Sequence, residues 1–440
     1  MKKKLNIEKI IYILIVIVMI LIPIFKLSTY IPVIENFYIN HFEFKRVYVL
    51  WIAIFFLLIG YLYLIFSKKQ KIDLVDILMY MLTILAFLST KYALDFEKSF
   101  LGEMYRYEGL LTILSYYLLM LNSRSIKSEK YRKNIIKLFL LMGIVQSIYA
   151  ILQSYTDFTF IRRHSINYMA MGLCSNPNFF GSYMVMQLLL MGYIYVYDSK
   201  KKYLLICILF SIALYLAEST GPVISVVVVF IFSIFVIPKK FKQILRLIII
   251  LLISFAFTDW SLKYVQEHKY EREFIPNYDI SNEVSTVLKT PSKVVPENLG
   301  NGRLEIWKNS IPLVKKYWLI GCGLDNFKNA YPNWGSVKVD KAHNVYLQIA
   351  ITNGVPALIL FLWVLFIVFL RGLKYKNSFL TPLYMAFIGY SVQAFFNISV
   401  IDVAPYYFII IGLILSECKQ HTNNEIKVKL FKNIKNQKKI

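Results

Sequence analysis

The chain of 440 residues is poor in cysteine, histidine and acid. It has four Cys, five His and 26 Asp plus Glu, against 50 Lys plus Arg. Four cysteines give no disulfide framework; a Cys174–Cys322 bridge is open but not expected. No His, Cys, Asp and Glu set has metal-ligand spacing, so no metal site is expected. No phosphate-binding glycine loop is present, which leaves a nucleotide-dependent activity without a visible seat, and no cofactor is expected. The chain also shows no internal repeat and no low-complexity block.

Apolar residues fill the gap. They make up 58% of the positions, and mean hydropathy is +0.54. They fall in blocks of roughly 15–20 residues bounded by polar clusters, the length that crosses a hydrocarbon core. Such blocks must be helical, because a lipid-exposed backbone has to satisfy its own hydrogen bonds. The blocks are Ile10–Phe25, Val47–Phe66, Ile72–Leu88, Tyr107–Leu121, Ile135–Leu152, Pro177–Tyr197, Tyr203–Ala217, Pro222–Ile237 and Leu247–Thr258, then Val355–Leu370, Phe379–Phe396 and Pro405–Leu415. The expected fold is an all-α polytopic membrane protein with about twelve transmembrane helices. Lys2, Lys3 and Lys4 before the first block resemble a signal peptide, but no small-residue cleavage site follows, so a retained helix is expected.

The net charge of +24 invites a nucleic-acid reading, but its placement argues against one. Lys and Arg concentrate in the N-terminus to Lys9, in Lys68–Lys71, Arg124–Lys133, Lys200–Lys202, Lys239–Arg246 and Arg371–Lys376, and in the tail Lys419–Lys439. The long stretch Asp259–His343 is nearly balanced in charge. This positive-inside pattern places both termini in the cytoplasm. The basic tail then reads as an orientation signal and a contact for anionic membrane lipids. Four regions follow: an N-terminal bundle over 1–258, a large, partly helical extracytoplasmic loop over 259–354, C-terminal spans over 355–416, and a basic cytoplasmic tail over 417–440.

Within the long loop, Leu304, Trp307, Ile311, Val314 and Trp318 recur at helical spacing, with Pro312 expected to kink or shorten that helix. A second short helix is expected over Ala342–Thr352, stopped by Asn353-Gly354, with Pro356 opening the next span.

Ionisable residues within spans are costly and usually functional, and here they are scarce. That lowers the reading of an ion-coupled pump. Reactive side chains instead crowd the outer face: Arg106, Glu108, Arg162, Arg163, His164, Asn178, Glu218, Arg303 and His343. This pattern points to an enzyme working at the outer membrane surface. His343, with Asn344 beside it, can take a proton from a hydroxyl as the oxygen attacks; the competing reading is an interfacial His at a helix start. Arg303, or the pair Arg162 and Arg163, can grip phosphate oxygens bidentately, though either is also an ordinary surface group. The amides of Asn176-Pro177-Asn178 can meet sugar hydroxyls or simply cap a helix.

The run Gly302-Arg303, Trp307, Pro312, Gly321-Cys322-Gly323, Phe327, Ala342-His343-Asn344, Tyr346 and Gly354 resembles the signature of the O-antigen ligase and polymerase superfamily. Arg106-Tyr107-Glu108-Gly109 and Asn176-Pro177-Asn178-Phe179-Phe180-Gly181 resemble that family's earlier outer-face motifs. The resemblance covers most of the chain. It implies a GT-C-like, metal-independent glycosyltransferase in a bacterial cytoplasmic membrane. Such an enzyme takes glycan from a polyprenyl-diphosphate carrier on the outer face, as ligase or polymerase, for a surface polysaccharide. Its partners would be that donor and an acceptor hydroxyl on a glycan, lipid or protein. The implied roles are activation of the acceptor by His343 and diphosphate binding by Arg303, Arg163, Arg162 and Arg106. Glu108, Asn178 and Asn344 are further substrate-binding candidates. One departure stands out: Ser219-Thr220-Gly221 occupies the place where many members carry Ser-Arg-Gly, so Arg162, Arg163 or Lys341 would have to substitute. The alternative from another class is a non-enzymatic exporter or flippase of lipid-linked glycan, which would need a polar cavity through the spans.

Overall fold

The computed structural model describes residues 6–27, 44–67, 72–104, 106–156, 169–270, 302–331 and 339–437. All regular structure among them is helical: α1 (Ile7–Leu27), α2 (Phe44–Phe66), α3 (Leu74–Lys91), α4 (Phe96–Leu101), α5 (Leu110–Ser125), α6 (Glu129–Tyr155), α7 (Pro177–Asp198), α8 (Lys201–Leu216), α9 (Thr220–Val236), α10 (Phe241–Tyr270), α11 (Arg303–Lys316), α12 (Phe327–Ala330), α13 (Val345–Thr352), α14 (Val355–Lys374), α15 (Leu380–Gln393) and α16 (Ala404–Gln437). Every apolar block read from the sequence falls on one of these helices. Among the described residues, seven of them (α1, α2, α3, α6, α7, α10 and α14) are long and apolar enough to cross a membrane, and α9 is a shorter apolar helix.

Capping chemistry sets many boundaries. The Asp73 carboxylate accepts from Val75 N at 2.9 Å and starts α3, while Asp76 reaches back to Asp73 N at 2.9 Å. Asn176 accepts from Asn178 N at 2.8 Å ahead of Pro177, whose missing N–H costs nothing in the first turn of α7. Helix α10 runs about three turns past Thr258, where the apolar block ends. There Trp260 and Tyr264 stack, and Lys263 pairs with Asp259 at 2.8 Å. Helix propagation needs backbone bonds rather than hydropathy, so the helix outlasts its apolar stretch.

The bundle has a core and a rim. Helix α7 is the least apolar of the seven long helices, yet 94% of its apolar window is buried, against 28% for α10. It packs against α15 and α8, while α5 packs against α16 and α2. The rim exposes Ile52, Phe55 and Phe56 on α2 and Leu252, Ile253 and Phe257 on α10. Each Å² of such surface left in water would cost roughly 25 cal/mol, and a hydrocarbon solvent removes that penalty.

Helices α11 to α13 gather at one end of the bundle, here called the loop end. The packed face of α11 differs from the stripe expected. Leu313 is buried with Phe327, Tyr331 and Ile351, and Ile306, Val314 and Tyr317 lie against them. Leu304, Ile311 and Trp318 are exposed. The Trp307 indole donates to Ala342 O at 3.0 Å, which fixes the rotation of the helix. The helix also continues through Pro312 to Lys316.

At the opposite end, charge is tightly matched. Arg124 is buried and pairs with Asp73 and with Asp76, the latter at 2.6 Å; Tyr61 donates to Asp76 at 3.0 Å. Arg132 pairs with Glu417 at 2.6 Å. These contacts tie α3 to α5 and α6 to α16.

Candidate functional site

Three loop segments meet at the loop end. The first, 102–109, joins α4 to α5; the second, 321–326, leads into α12; the third, 339–344, leads into α13. The Gly321-Cys322-Gly323 run lies along the end of α13. Cys322 N donates to Ile351 O at 2.9 Å and Gly323 N to Thr352 O at 3.1 Å, while Leu94 N donates to Cys322 O at 3.0 Å. At Gly321, φ is +85° and a Cβ would lie 2.1 Å from Thr352 O, so only glycine fits. Cys174 and Cys322 are both buried free thiols.

Asp325 fastens these segments to one another. Its buried carboxylate accepts from Glu103 N at 2.7 Å and Glu108 N at 3.3 Å, and it pairs with the Lys341 ammonium. Arg106 pairs with Asp340 at 2.9 Å, and its guanidinium lies 5.8 Å from the Phe179 ring centroid at the start of α7. Thus Arg106 links the first and third segments to the Asn-Pro-Asn motif.

His343 sits at the junction. Its φ of 50° is left-handed, which ends the helix there: α13 begins at Val345 rather than Ala342. Asn344 caps it, accepting from Tyr346 N and Leu347 N at 3.0 Å each. Of the five non-glycine residues with positive φ among the described residues, Tyr107, Asp325 and His343 all lie at this site. Such strain persists only where surroundings over-determine it, and it clusters at functional sites.

Burial holds the His343 imidazole below the ordinary histidine range. Asp340 works against that shift; Arg303, Arg106 and Lys341 reinforce it. All four charges therefore lie near enough to act on the ring. At neutral pH the ring is uncharged and able to accept a proton. Arg303 is half-buried and has no ion-pair partner among the described residues; burial lowers its pKa from the ordinary arginine value, and a guanidinium so lowered still stays charged.

Beneath these groups is a cavity of about 100 Å³ lined by Glu108, Asp325 and Lys341 together with aromatic, aliphatic and uncharged polar side chains. The Glu108 carboxyl accepts from Tyr116 Oη at 3.0 Å and Ile401 N at 3.0 Å. Burial pushes its pKa up to about 8, Lys341 opposes that and Asp325 adds to it. Glu108 lies in a turn rather than in a span, because the left-handed Tyr107 delays α5 to Leu110.

The sequence-predicted residues divide. His343, Arg303 and Arg106 come together, and Glu108 lies close by through its contact with Asp325. Asn344 is a helix cap. Asn178 is occupied in joining helices: its Oδ1 accepts from Ser219 Oγ at 2.7 Å, and its backbone oxygen accepts from Asn397 Nδ2 at 3.0 Å. Arg162 and Arg163 lie outside the described residues.

Sequence reasoning missed Asp325, Asp340 and a buried group around Asp402. There Arg46 pairs with Asp402 at 2.5 Å, Ser175 N donates to Asp402 at 3.2 Å, and Lys26 donates to Ser175 Oγ at 3.1 Å. The nearest signal for Asp325 was its place two residues after Gly-Cys-Gly; nothing distinguished Asp340 or Asp402 in the sequence.

The segments that carry Arg303, the Gly-Cys-Gly run and His343 all lie in one matched stretch. Residues 205–362 match the family model described as O-antigen ligase. The match supports the O-antigen ligase and polymerase superfamily for this chain. No curated protein matches it. With its apolar helices, the match supports a multi-pass membrane protein, and the family suggests an O-antigen ligase-type function in polysaccharide assembly through a glycosyltransferase-like enzyme.

Proposed function

We propose that the chain is a glycosyltransferase of the bacterial cytoplasmic membrane with about twelve spans, both termini in the cytoplasm and its site on the extracytoplasmic face. It moves or polymerises glycan from a polyprenyl-diphosphate carrier onto an acceptor hydroxyl, for a surface polysaccharide. The observation that carries this reading is that Arg106 pairs with Asp340, Lys341 with Asp325, and α11, which Arg303 opens, is tied to Ala342, all within three residues of His343.

In the reaction, the acceptor oxygen attacks the anomeric carbon and the bond from that carbon to the diphosphate oxygen breaks. His343 takes the acceptor proton as the new glycosidic bond forms. The polyprenyl diphosphate departs with the electron pair, and its growing negative charge is stabilised by Arg303, with Arg106 and Lys341 behind it. Asp340 and Asp325 hold those two cations in place. The same cationic surroundings favour an unprotonated ring before attack, while Asp340 supports the imidazolium afterwards. No nucleotide takes part, because the carrier diphosphate is itself the leaving group.

The test is a membrane assay with polyprenyl-diphosphate oligosaccharide, following release of free carrier for wild type, His343→Ala and Arg303→Ala. A lengthened glycan ladder with carrier release identifies a polymerase, and a single transfer to lipid or protein identifies a ligase. Full carrier release by well-expressed His343→Ala protein would overturn the assignment of the base.

A further inference from the structure

The outward face of α11 joins apolar side chains to lysines. Leu304 and Ile311 on the helix, and Trp318 just past its end, recur every seven residues and are 59%, 55% and 57% exposed. Lys308 and Lys315, also exposed, alternate with them at spacings of three and four, which is one face of a helix. The helix carries Lys308, Lys315 and Lys316 against a single acid, Glu305.

Both ends of this helix are fastened where other helices of the bundle end. Near its start the Trp307 indole bonds to Ala342, and a little further on Val345 N donates to Ala394 O at 2.8 Å, at the end of α15. Just past its close, Trp318 O accepts at 2.7 Å from the N–H of Val355, the first residue of α14. The 14-residue helix, about 21 Å long, therefore lies along the loop end of the bundle rather than standing off it. Its Trp318 end is continuous with the apolar rim. Leu94 N bonds to Cys322 O, and Tyr92, Leu94 and Phe96 are exposed there. One turn into α14, Ile359 is exposed as well. Trp and Tyr gather at the membrane–water boundary, where their rings meet both apolar and wet surroundings.

Charge and continuity decide what covers this face. A second copy laid on it would set lysines against lysines, and an apolar protein groove would strip them of water. Lipid suits both parts: the apolar side chains sink to the acyl boundary while the lysine stems reach back to headgroup phosphates. We propose that this face of α11 is seated on the membrane leaflet at the loop end, with Lys308 and Lys315 on anionic headgroups. The seat puts Arg303, the first residue of the same helix, at the depth of lipid phosphates. It does not depend on the transferase reading.

The test is spin labelling of the full chain in vesicles. The native thiols are buried, so Ile311→Cys takes a nitroxide at one exposed position, and an unchanged thermal midpoint shows that the fold is kept. In phosphatidylcholine vesicles that contain phosphatidylglycerol, the label is relaxed by oxygen and shielded from a water-soluble nickel complex. Adding Lys308→Gln lowers the ratio of shielded to open label about 5-fold, and Lys315→Gln lowers it about as much again. In phosphatidylcholine alone the lysine variants match their parent. A label open to nickel in both kinds of vesicle overturns the seat, as do lysine variants that match their parent where phosphatidylglycerol is present. A label shielded from nickel and oxygen alike in every lipid also overturns it, because protein then covers the face. If no carrier is ever released in the transfer assay, the transferase reading fails and the seat stands.

Discussion

The two ends of the bundle bury charge in different ways. At the end holding Arg124 and Arg132, each guanidinium has its carboxylate: Asp73 and Asp76 for one, Glu417 for the other. At the loop end, Asp340 and Asp325 balance Arg106 and Lys341, while Arg303 has no ion-pair partner among the described residues, and Glu108 favours its uncharged form. Taking a charge out of water is costly unless a partner replaces the water. A matched cluster thus reads as a clamp between helices. A cluster with surplus positive charge beside an uncharged imidazole reads as a seat for an anion.

Substitutions break the comparison in opposite directions. The largest effect expected is on catalysis: His343→Ala lowers carrier release about 10²–10⁴-fold with the thermal midpoint nearly unchanged. Next is Arg124→Ala, which orphans Asp73 and Asp76 and costs about 3–5 kcal/mol of stability. Chemical or thermal denaturation in detergent measures the loss, and release per folded molecule stays near wild type. Arg303→Ala follows, lowering release about 10²–10³-fold while the fold holds, with partial recovery in Arg303→Lys. An Arg303→Ala protein that denatures early but turns over normally would make the two clusters alike.

The smallest effect expected is in the pH profile. His343 titrates below the ordinary histidine range, so release falls on acidification only once pH drops beneath about 6.5, as the ring gains its proton. Glu108 ionises near pH 8, placing a second negative charge beside Asp325 and drawing on Lys341. A shallow alkaline fall near that pH is expected, and Glu108→Gln, which cannot ionise, should abolish it. An unchanged alkaline limb in Glu108→Gln would assign that limb to another group.

Much of the site was legible because its residues obey local rules. Gly354 and Pro356 mark the α13–α14 boundary, and Asn344 marks the start of α13, whatever surrounds them. Arg303 and His343 stood out as reactive types in motifs within a polar loop. Asp325, Asp340 and Asp402 escaped notice because a carboxylate that will be paired in the fold looks in sequence like any loop Asp. Their meaning comes from partners that lie elsewhere along the chain: Asp402 meets Arg46 across 356 positions.

The sequence by itself determined that the chain folds as apolar helices, since block length and the backbone's need for internal hydrogen bonds leave no other choice in lipid. It also determined where several helices start and stop, through Asp73, Asn176, Asn344 and Gly354. Only the tertiary structure decided which helices form the core. Lipid tails are as apolar as leucine side chains, so hydropathy is a poor guide to burial: α3 and α7 are almost equally apolar, yet 44% of one window and 94% of the other are buried. The tertiary structure likewise chose the packed face of α11 and brought Arg106, Arg303 and His343 to one point, because those contacts depend on the shapes of distant segments rather than on local spacing.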